Sequence, residues 1–345
     1  MNREVKPKIA IIGAGAIGSL IGGIWSRDGY DVTLVARQAH VAAIQRDGLR
    51  INGVAGNFIA WPRAREALDF APDMAVISVK NQDVGTACQA IKPFIGNIPV
   101  VMAQNGVAGA EMAAAHFNKA NLISCTLVLN ARFMSPGQVT FVNKSPIVIG
   151  KAFAANDASV TQLQSLFKRV APTSISDNIL GVQWAKLLVN AMTNGLDGLT
   201  GQNMGQYLQS PKARRVGIMI LKEAFQLTRR AGLCLQPLPG LPLWFFKFVS
   251  VMPAPISSPC LKLVAKAKGD KNIITSTLQS LLKGQLTEID FLNGEFVRLG
   301  QRIGVPAPVN AKVVSLIHAI EKTKQFYTPE ALFEHFSHLD EGDRI

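Results

Sequence analysis

Lys8-Ile9-Ala10-Ile11-Ile12-Gly13-Ala14-Gly15-Ala16-Ile17-Gly18 is the stretch on which the fold turns. A short β-rich run, Lys8–Ile12, leads directly into G-x-G-x-x-G. Ala16–Asp28 then follows helical periodicity, burying Ile17, Leu20, Ile21 and Ile24. Each glycine has its own physical reason. Gly13 permits the tight turn, Gly15 lets the backbone approach a pyrophosphate, and Gly18 lets the helix pack closely on a sheet. The helix N-terminus, at Ala16 and Ile17, adds N–H donors and the positive end of the dipole. Alone the motif is weak, and a glycine-rich packing turn would share it. With a strand before, a helix after and a second strand at Asp31–Val35, it reads as a dinucleotide-binding turn. Where an NAD-binding protein carries Asp or Glu for the ribose 2′-hydroxyl, this chain has Val35-Ala36-Arg37. A guanidinium pairs bidentately with phosphate, so NADP(H) is the expected cofactor, with Arg37 reading its 2′-phosphate, although a solvated arginine is also ordinary at a strand end.

The alternation continues outward from this unit. Met74–Val79 and Pro99–Met102 read as buried strands, with a helix over Val84–Ile95 between them. Leu122–Leu129, Gln138–Val142 and Ile147–Ile149 are further strands, Ala158–Val170 an amphipathic helix, and Thr173–Ser176 a last strand. This order implies an α/β domain with a parallel sheet covered on both faces. Ligands bind beyond the C-terminal strand ends of such sheets, which makes Lys80 and Asn105 candidate cofactor contacts, although Asn105-Gly106 is also an ordinary turn. From Gly181 onward helical periodicity takes over. The expected division is a Rossmann-type domain over 1–177, a helical substrate domain over 178–330 and a polar tail over 331–345.

Composition narrows the class. The 345 residues are 48% hydrophobic and only 17% charged, enough for two well-packed domains and against general disorder. Thirty-six Lys and Arg against 23 Asp and Glu give +13, which favours anionic ligands. The basic residues are spread along the chain and no nucleic-acid-binding motif accompanies them, so no nucleic-acid partner is expected. Four scattered cysteines, with no C-x-x-C pair, indicate neither a disulfide framework nor a zinc site and point to a reducing compartment, the cytoplasm. Basic residues before the apolar stretch Ile9–Trp25 mimic a signal peptide, but the glycines at 13, 15 and 18 have a spacing that secretion does not require. Among five histidines only His335 and His338 lie within one helical turn, and nothing nearby completes a ligand set; no metal is expected and no histidine is assigned a role.

In the helical half, Lys186, Asn190 and Asn194 are spaced i, i+4, i+8 and share one face of an otherwise apolar helix. A lysine and two amides there need polar partners or a wet cleft, and a structural hydrogen-bonded patch would explain them as well as a site would. Thr287-Glu288-Ile289-Asp290 reads by itself as the acidic start of an amphipathic helix.

The glycine loop, Asp47-Gly48-Leu49, Val79-Lys80, Asn105-Gly106, Trp184-x-Lys186-x-x-x-Asn190, Thr287-Glu288-Ile289-Asp290 and Gly304-Val305-Pro306 together, in this order, resemble the ketopantoate reductases over residues 8 to about 320. The resemblance implies a Rossmann domain followed by a helical domain of the 6-phosphogluconate dehydrogenase-like type. It implies NADPH-dependent reduction of 2-dehydropantoate (ketopantoate) to pantoate, a precursor of pantothenate and coenzyme A. By position it makes Lys186 the general acid and Glu288 the group that holds the substrate hydroxyl and orients the lysine. Asn190, Asn194 and Ser276 become substrate contacts, Ser276 at the carboxylate; Lys80 and Asn105 fall on the cofactor side.

Three features depart from that pattern. Asn194 is followed by Gly195-Leu196-Asp197-Gly198-Leu199-Thr200, where the family commonly shows Asn-Pro and then a Leu-Thr-Ala run. Ser280 stands where well-known members carry an acid four residues after the substrate serine. Pro237–Lys271 is a longer, Pro- and aromatic-rich insert. These leave open a reductase of another branched 2-oxo acid, or a non-catalytic NADPH-binding protein on the same scaffold. The insert is a candidate cap over the substrate or a homodimer surface. Membrane contact is not expected of it, since its prolines break a long amphipathic helix.

Overall fold

The computed structural model describes residues 6–239, 243–268 and 274–340. Its strands are β1 (Lys8–Ile12), β2 (Asp31–Val35), β3 (Leu49–Gly53), β4 (Phe58–Ala60), β5 (Arg63–Arg65), β6 (Met74–Ile77), β7 (Val100–Met102), β8 (Leu122–Leu127), β9 (Asn130–Ser135), β10 (Gln138–Asn143), β11 (Ile147–Lys151) and β12 (Thr173–Ile175). Eight of them form one sheet in the order β12-β11-β8-β7-β6-β1-β2-β5. Its pairings are parallel except for β8 with β11. Side chains along β1 show why these strands read as unbroken apolar runs: Ile9 and Ile11 enter one core while Ala10 and Ile12 enter another on the opposite face. Helices α1 (Ala16–Arg27), α2 (Gln38–Asp47), α3 (Val84–Ile91), α4 (Gly109–Ala113) and α5 (Ala158–Phe167) complete this unit, which runs to Val182.

The sequence reading did not anticipate a second sheet, β4-β3-β10-β9, in which β3 and β10 run parallel and the outer pairs antiparallel. It covers α1 from the side opposite the large sheet. A Cβ on Gly22 would meet Leu34 and Ile11 of the large sheet, whereas one on Gly23 would meet Ile51 and Leu49 of β3. A helix buried on both sides must be apolar all round, and Gly18 through Trp25 are all buried. The leader-like hydrophobicity of this stretch therefore has a packing cause. The helix expected over Val84–Ile95 instead ends at Ile91 and tightens into a 3₁₀ turn over Lys92–Phe94, where Pro93 has no N–H to offer.

The second unit begins at Gln183. It contains most of α6 (Ile179–Thr200), then α7 (Met204–Tyr207), α8 (Pro211–Arg230), α9 (Leu243–Val251), α10 (Ala254–Lys268), α11 (Ser276–Leu282), α12 (Asn293–Ile303), α13 (Pro308–Thr323), α14 (Pro329–Glu334) and α15 (Ser337–Asp340). A buried polar chain runs through its core. Glu223 of α8 accepts the backbone N–H of Val309 and Asn310 and the Asn310 amide, each at 2.8 Å. Asn310 accepts from Asn293 of α12 at 2.9 Å, and Asn293 also donates to the carbonyl of Ala191 in α6. Four helices are thereby stitched at one level. Burial holds the Glu223 carboxyl above its ordinary range, against the hydrogen bonds from Asn310 and Val309.

The insert contains two helices, α9 and α10; its Gly240, Leu241, Pro242, Gly269, Asp270 and Lys271 lie outside the described residues. It turns Phe246, Val249, Ser250, Ser257 and Leu261 inward and leaves Trp244, Val251 and Leu263 exposed. Arg214 of α8 fastens it by donating to Ser258 Oγ at 2.8 Å. The tail expected to be merely polar is not so: Leu332 and Phe336 are fully buried, because α14 packs on α8. Its residues 341–345 lie outside the described part.

The tight approach of β3 to α1 yields a first prediction. Gly23→Val has no room, since even its Cβ would sit 2.4 Å from Ile51 Cδ1. Urea denaturation should show a loss of about 1–3 kcal/mol.

Candidate active site

In the first unit the glycine loop is fixed from below and behind. Gly13 and Ala14 both donate backbone N–H to the Val35 carbonyl at 3.0 Å, and Ser78 Oγ donates to the Gly13 carbonyl at 2.9 Å. Gly13 has φ +90°, and a Cβ there would lie 2.4 Å from Val79 Cγ1. At Gly18 the same atom would strike Ser78 Oγ and the Gly13 carbonyl. Gly15 is different, with nothing of the protein within 4 Å of where its Cβ would stand. That empty shelf, at the start of a helix with no side-chain N-cap, is the space a pyrophosphate needs.

A network the sequence did not signal braces the loop. Gly137 N–H donates to His40 Nδ1 at 2.8 Å, which leaves the ring hydrogen on Nε2, 2.9 Å from Ser19 Oγ. Ser19 in turn donates to the Ala14 carbonyl at 3.1 Å. Burial lowers the His40 pKa and so favours the neutral ring that this arrangement requires.

Arg37 is exposed at the start of α2 and lines a cavity of about 430 Å³ with Val35, Glu66, Asp83 and Thr86. Lys80 is half-buried just beyond β6, and Asn105 just beyond the adjacent β7. Two residues that sequence reasoning missed tie these strand ends together: buried Asn81 donates to the Asn105 carbonyl at 2.8 Å, and Gln104 donates to the Ile77 carbonyl at 2.9 Å. Gly13, Gly15, Gly18, Arg37, Lys80 and Asn105 thus lie along one edge of the sheet, and the open shelf, the amide-rich turn and the neighbouring cavity fit a dinucleotide.

In the second unit α6 is buried along most of its length, and Lys186, Asn190 and Thr193 form its half-exposed stripe. Trp184 packs edge-on against Phe296 of α12, ring centroids 5.4 Å apart, which fixes the rotation of α6 two residues before Lys186. Asn194 is different from its neighbours on the stripe. Its carbonyl oxygen accepts from Ser276 Oγ, Thr277 Oγ1 and Thr277 N at 3.2–3.4 Å, so it ties α6 to the start of α11 and leaves only its amide N–H for any ligand. Ser276 itself is exposed.

The departures at 195–198 fall at the same junction. Asp197 Oδ2 accepts the Thr275 N–H at 2.9 Å, and a Cβ on Gly198 would lie 2.7 Å from Ile317 and 2.8 Å from Thr277. Burial pushes the Asp197 carboxyl up to about 7, against hydrogen bonds from Thr275 and Tyr207 that favour its charged form. Glu288 is half-buried and opens a 3₁₀ turn, Ile289–Phe291. No group of three metal-ligating side chains occurs among the described residues, and no helix among them is long and apolar enough to cross a membrane.

A doubly covered sheet with a glycine cradle at its edge, followed by a helical unit with a lysine–asparagine stripe, defines a dinucleotide-dependent oxidoreductase. The family model for the ketopantoate reductase PanE/ApbA matches residues 9–153, and the model for its C terminal matches residues 178–321. The chain belongs to the ketopantoate reductase family and is an NAD(P)-dependent oxidoreductase. It is 26% identical over 315 residues to the 2-dehydropantoate 2-reductase of Pyrococcus horikoshii, covering 91% of this chain and 97% of that one. The 2-dehydropantoate 2-reductase of Aquifex aeolicus is 26% identical over 322 residues, with the same coverages. Among solved structures, a PanE/ApbA family ketopantoate reductase from Ralstonia eutropha superposes with a TM-score of 0.77 at 27% identity, covering 92% and 99% of the two chains. The ternary structure of D-mandelate dehydrogenase with NADH and anilino(oxo)acetate shares the fold, with a TM-score of 0.79 at 23% identity and coverages of 91% and 98%.

Two predictions follow from this geometry. Gly15→Ala meets nothing in the fold and has φ −79°, so its melting temperature should match the wild type while cofactor affinity, read by fluorescence titration, falls about tenfold or more. Asp197 gives a pH signature. Between pH about 4 and 7 the unfolded chain ionises this carboxyl while the folded chain keeps its proton, so its contribution to stability is present at low pH and is lost as pH rises through the folded pKa of about 7. Asp197→Asn keeps an acceptor for Thr275 without that titration. Relative to wild type, its urea-derived stability should improve by about 1–3 kcal/mol from pH 4 to pH 8.

Proposed function

We propose that this protein reduces a small branched 2-oxo acid with NADPH, and that ketopantoate is the substrate, its product pantoate leading to pantothenate and coenzyme A in the cytoplasm. The observation that carries the reading is the stripe of Lys186 and Asn190 on a helix otherwise buried, at the start of the segment that matches the family's C-terminal half. Residues 1–177 serve as the cofactor domain and 178–330 as the substrate domain. Gly13, Gly15, Ala16, Ile17 and Gly18 hold the pyrophosphate, Arg37 the 2′-phosphate, and Lys80 and Asn105 the remainder of the cofactor.

Bound NADPH supplies the hydride. What the chain's own residues do is electrostatic and positional. As a ketone takes up hydride its oxygen becomes an alkoxide; the Lys186 ammonium donates a hydrogen bond to that oxygen and then gives it a proton. Glu288 accepts from the substrate hydroxyl and orients Lys186, Ser276 turns its hydroxyl from Asn194 to donate to the carboxylate, and Asn190 and the Asn194 amide complete the substrate contacts.

One specific observation favours a second reading, reduction of a different 2-oxo acid. Asp197 and Gly198 support the start of α11 beneath Ser276, and the structure of D-mandelate dehydrogenase with NADH and anilino(oxo)acetate has the same fold.

The test is NADPH oxidation with ketopantoate and with other branched and aryl 2-oxo acids. Turnover of ketopantoate that drops by about a hundredfold or more in kcat for Lys186→Ala supports the reading. Arg37→Ala should raise KM for NADPH about tenfold and leave that for NADH unchanged. Tight NADPH binding without ketopantoate turnover, and turnover of another oxo acid, would move the assignment to that acid.

A further inference from the structure

Two side chains of α13, far from Glu288 in sequence, reach the residues on either side of it. Glu321 Oε1 accepts both the backbone N–H and the hydroxyl of Thr287, each at 2.7 Å. The other carboxylate oxygen, Oε2, pairs with His318 Nδ1 at 2.8 Å. His318 Nε2 then lies 3.1 Å from Asp290 Oδ1. The chain Thr287–Glu321–His318–Asp290 is therefore closed across the turn that carries Glu288. Within that turn Thr287 Oγ1 accepts from Ile289 N, and the Glu288 carbonyl accepts from Phe291 N at 2.9 Å. Arg298 of α12 donates to the Asp290 carbonyl and pairs with Glu295, so a third element holds the far side.

From this geometry we infer that Glu321 and His318 are positioning residues for Glu288: they clamp its backbone turn at both flanks and so fix where its carboxylate stands. The inference rests on the proposed role of Glu288 toward substrate. Their action is through Thr287 and Asp290. Burial of the Glu321 carboxylate would be costly on its own, but the three hydrogen bonds it accepts, two from Thr287 and one from His318, offset that cost. An imidazole with a carboxylate at each nitrogen is held most firmly in its charged, doubly donating form.

The test is a double-mutant cycle with an independent measure of the turn. Glu321→Gln keeps an oxygen for Thr287 and loses the ion pair; Glu321→Ala removes both. Each is placed in the wild-type and Glu288→Gln backgrounds. Steady-state reduction of the oxo acid turned over by the wild type is measured together with amide hydrogen exchange over residues 286–291. In the wild-type background Glu321→Ala should lower kcat/KM at least tenfold with NADPH affinity unchanged, and Glu321→Gln should recover part of it. In the Glu288→Gln background either change should cost less than about twofold. Exchange at Thr287 should quicken about tenfold or more in Glu321→Ala. Equal losses in both backgrounds, or unchanged exchange, would overturn the clamp. Should the wild type reduce no 2-oxo acid, the functional reading falls by itself, and the exchange result alone decides for or against the clamp.

Discussion

Gly22 and Gly23 stand side by side on α1, and each lacks a side chain because a different sheet occupies the space. Leu34 and Ile11 press on the first, Ile51 and Leu49 on the second. A helix in that position can expose nothing, which is why Ile21, Ile24 and Trp25 crowd onto it and why Trp25 must send its indole N–H to the Leu166 carbonyl. The same enclosure fixes the start of α1, because the helix cannot slide or rotate between two sheets packed at van der Waals contact. The glycine cradle at its N-terminus inherits that rigidity. Ser19, on the first turn, passes it to the Ala14 carbonyl and through His40 to the β9–β10 turn at Gly137.

The helical unit solves the same problem with polar groups. Helices α6, α8, α12 and α13 meet where no purely apolar contact would specify their register, and the chain from Glu223 through Asn310 and Asn293 to Ala191 does so. Every link is a buried hydrogen bond whose loss strands a partner, so each one favours this register over its neighbours. Trp184 against Phe296 adds the rotational constraint on α6. Lys186 therefore sits on a helix whose azimuth is set by groups on three others.

What the sequence made legible follows from burial. Strands β1, β2, β6, β7 and β8, covered on both faces, leave an apolar run that needs no partner to be recognised. The second sheet left less: β10 was readable over Gln138–Val142, but β3 (LRING) is five residues ending in glycine and β9 (NARFMS) has no regular alternation. The antiparallel sense of β11 was equally hidden, since a fully buried run reads the same in either direction. At the site, the glycine spacing and the stripe on α6 were readable because their members are one helical turn or less apart. The anchors were not. Asn81 meets Asn105 across 24 residues, His40 meets Gly137 across 97, and Glu321 meets Thr287 across 34, and no local pattern announces a lone histidine or glutamate that folds back over such distances.

Helix α6 has two successive stretches that meet at Asn194. One, from Lys186 through Asn190, is half-open; the other, from Asn194 through Asp197 and Gly198, is shut against Thr275–Thr277 and Ile317. Asp197 and Gly198, two of the residues that depart from the family pattern, lie on the shut stretch, where they cannot touch a ligand. They act instead on the seat of Ser276. Asp197 draws the Thr275 amide to the helix, and the missing Cβ of Gly198 lets Thr277 settle more closely than any side chain would permit. On the reading proposed for Ser276, the depth of the carboxylate seat is then set from beneath. Lys186, proposed to serve the carbonyl, stands about three turns away. On that reading a substrate of different length can be accommodated without altering the proposed proton donor, because Lys186 and Asp197 stand at different levels of one helix.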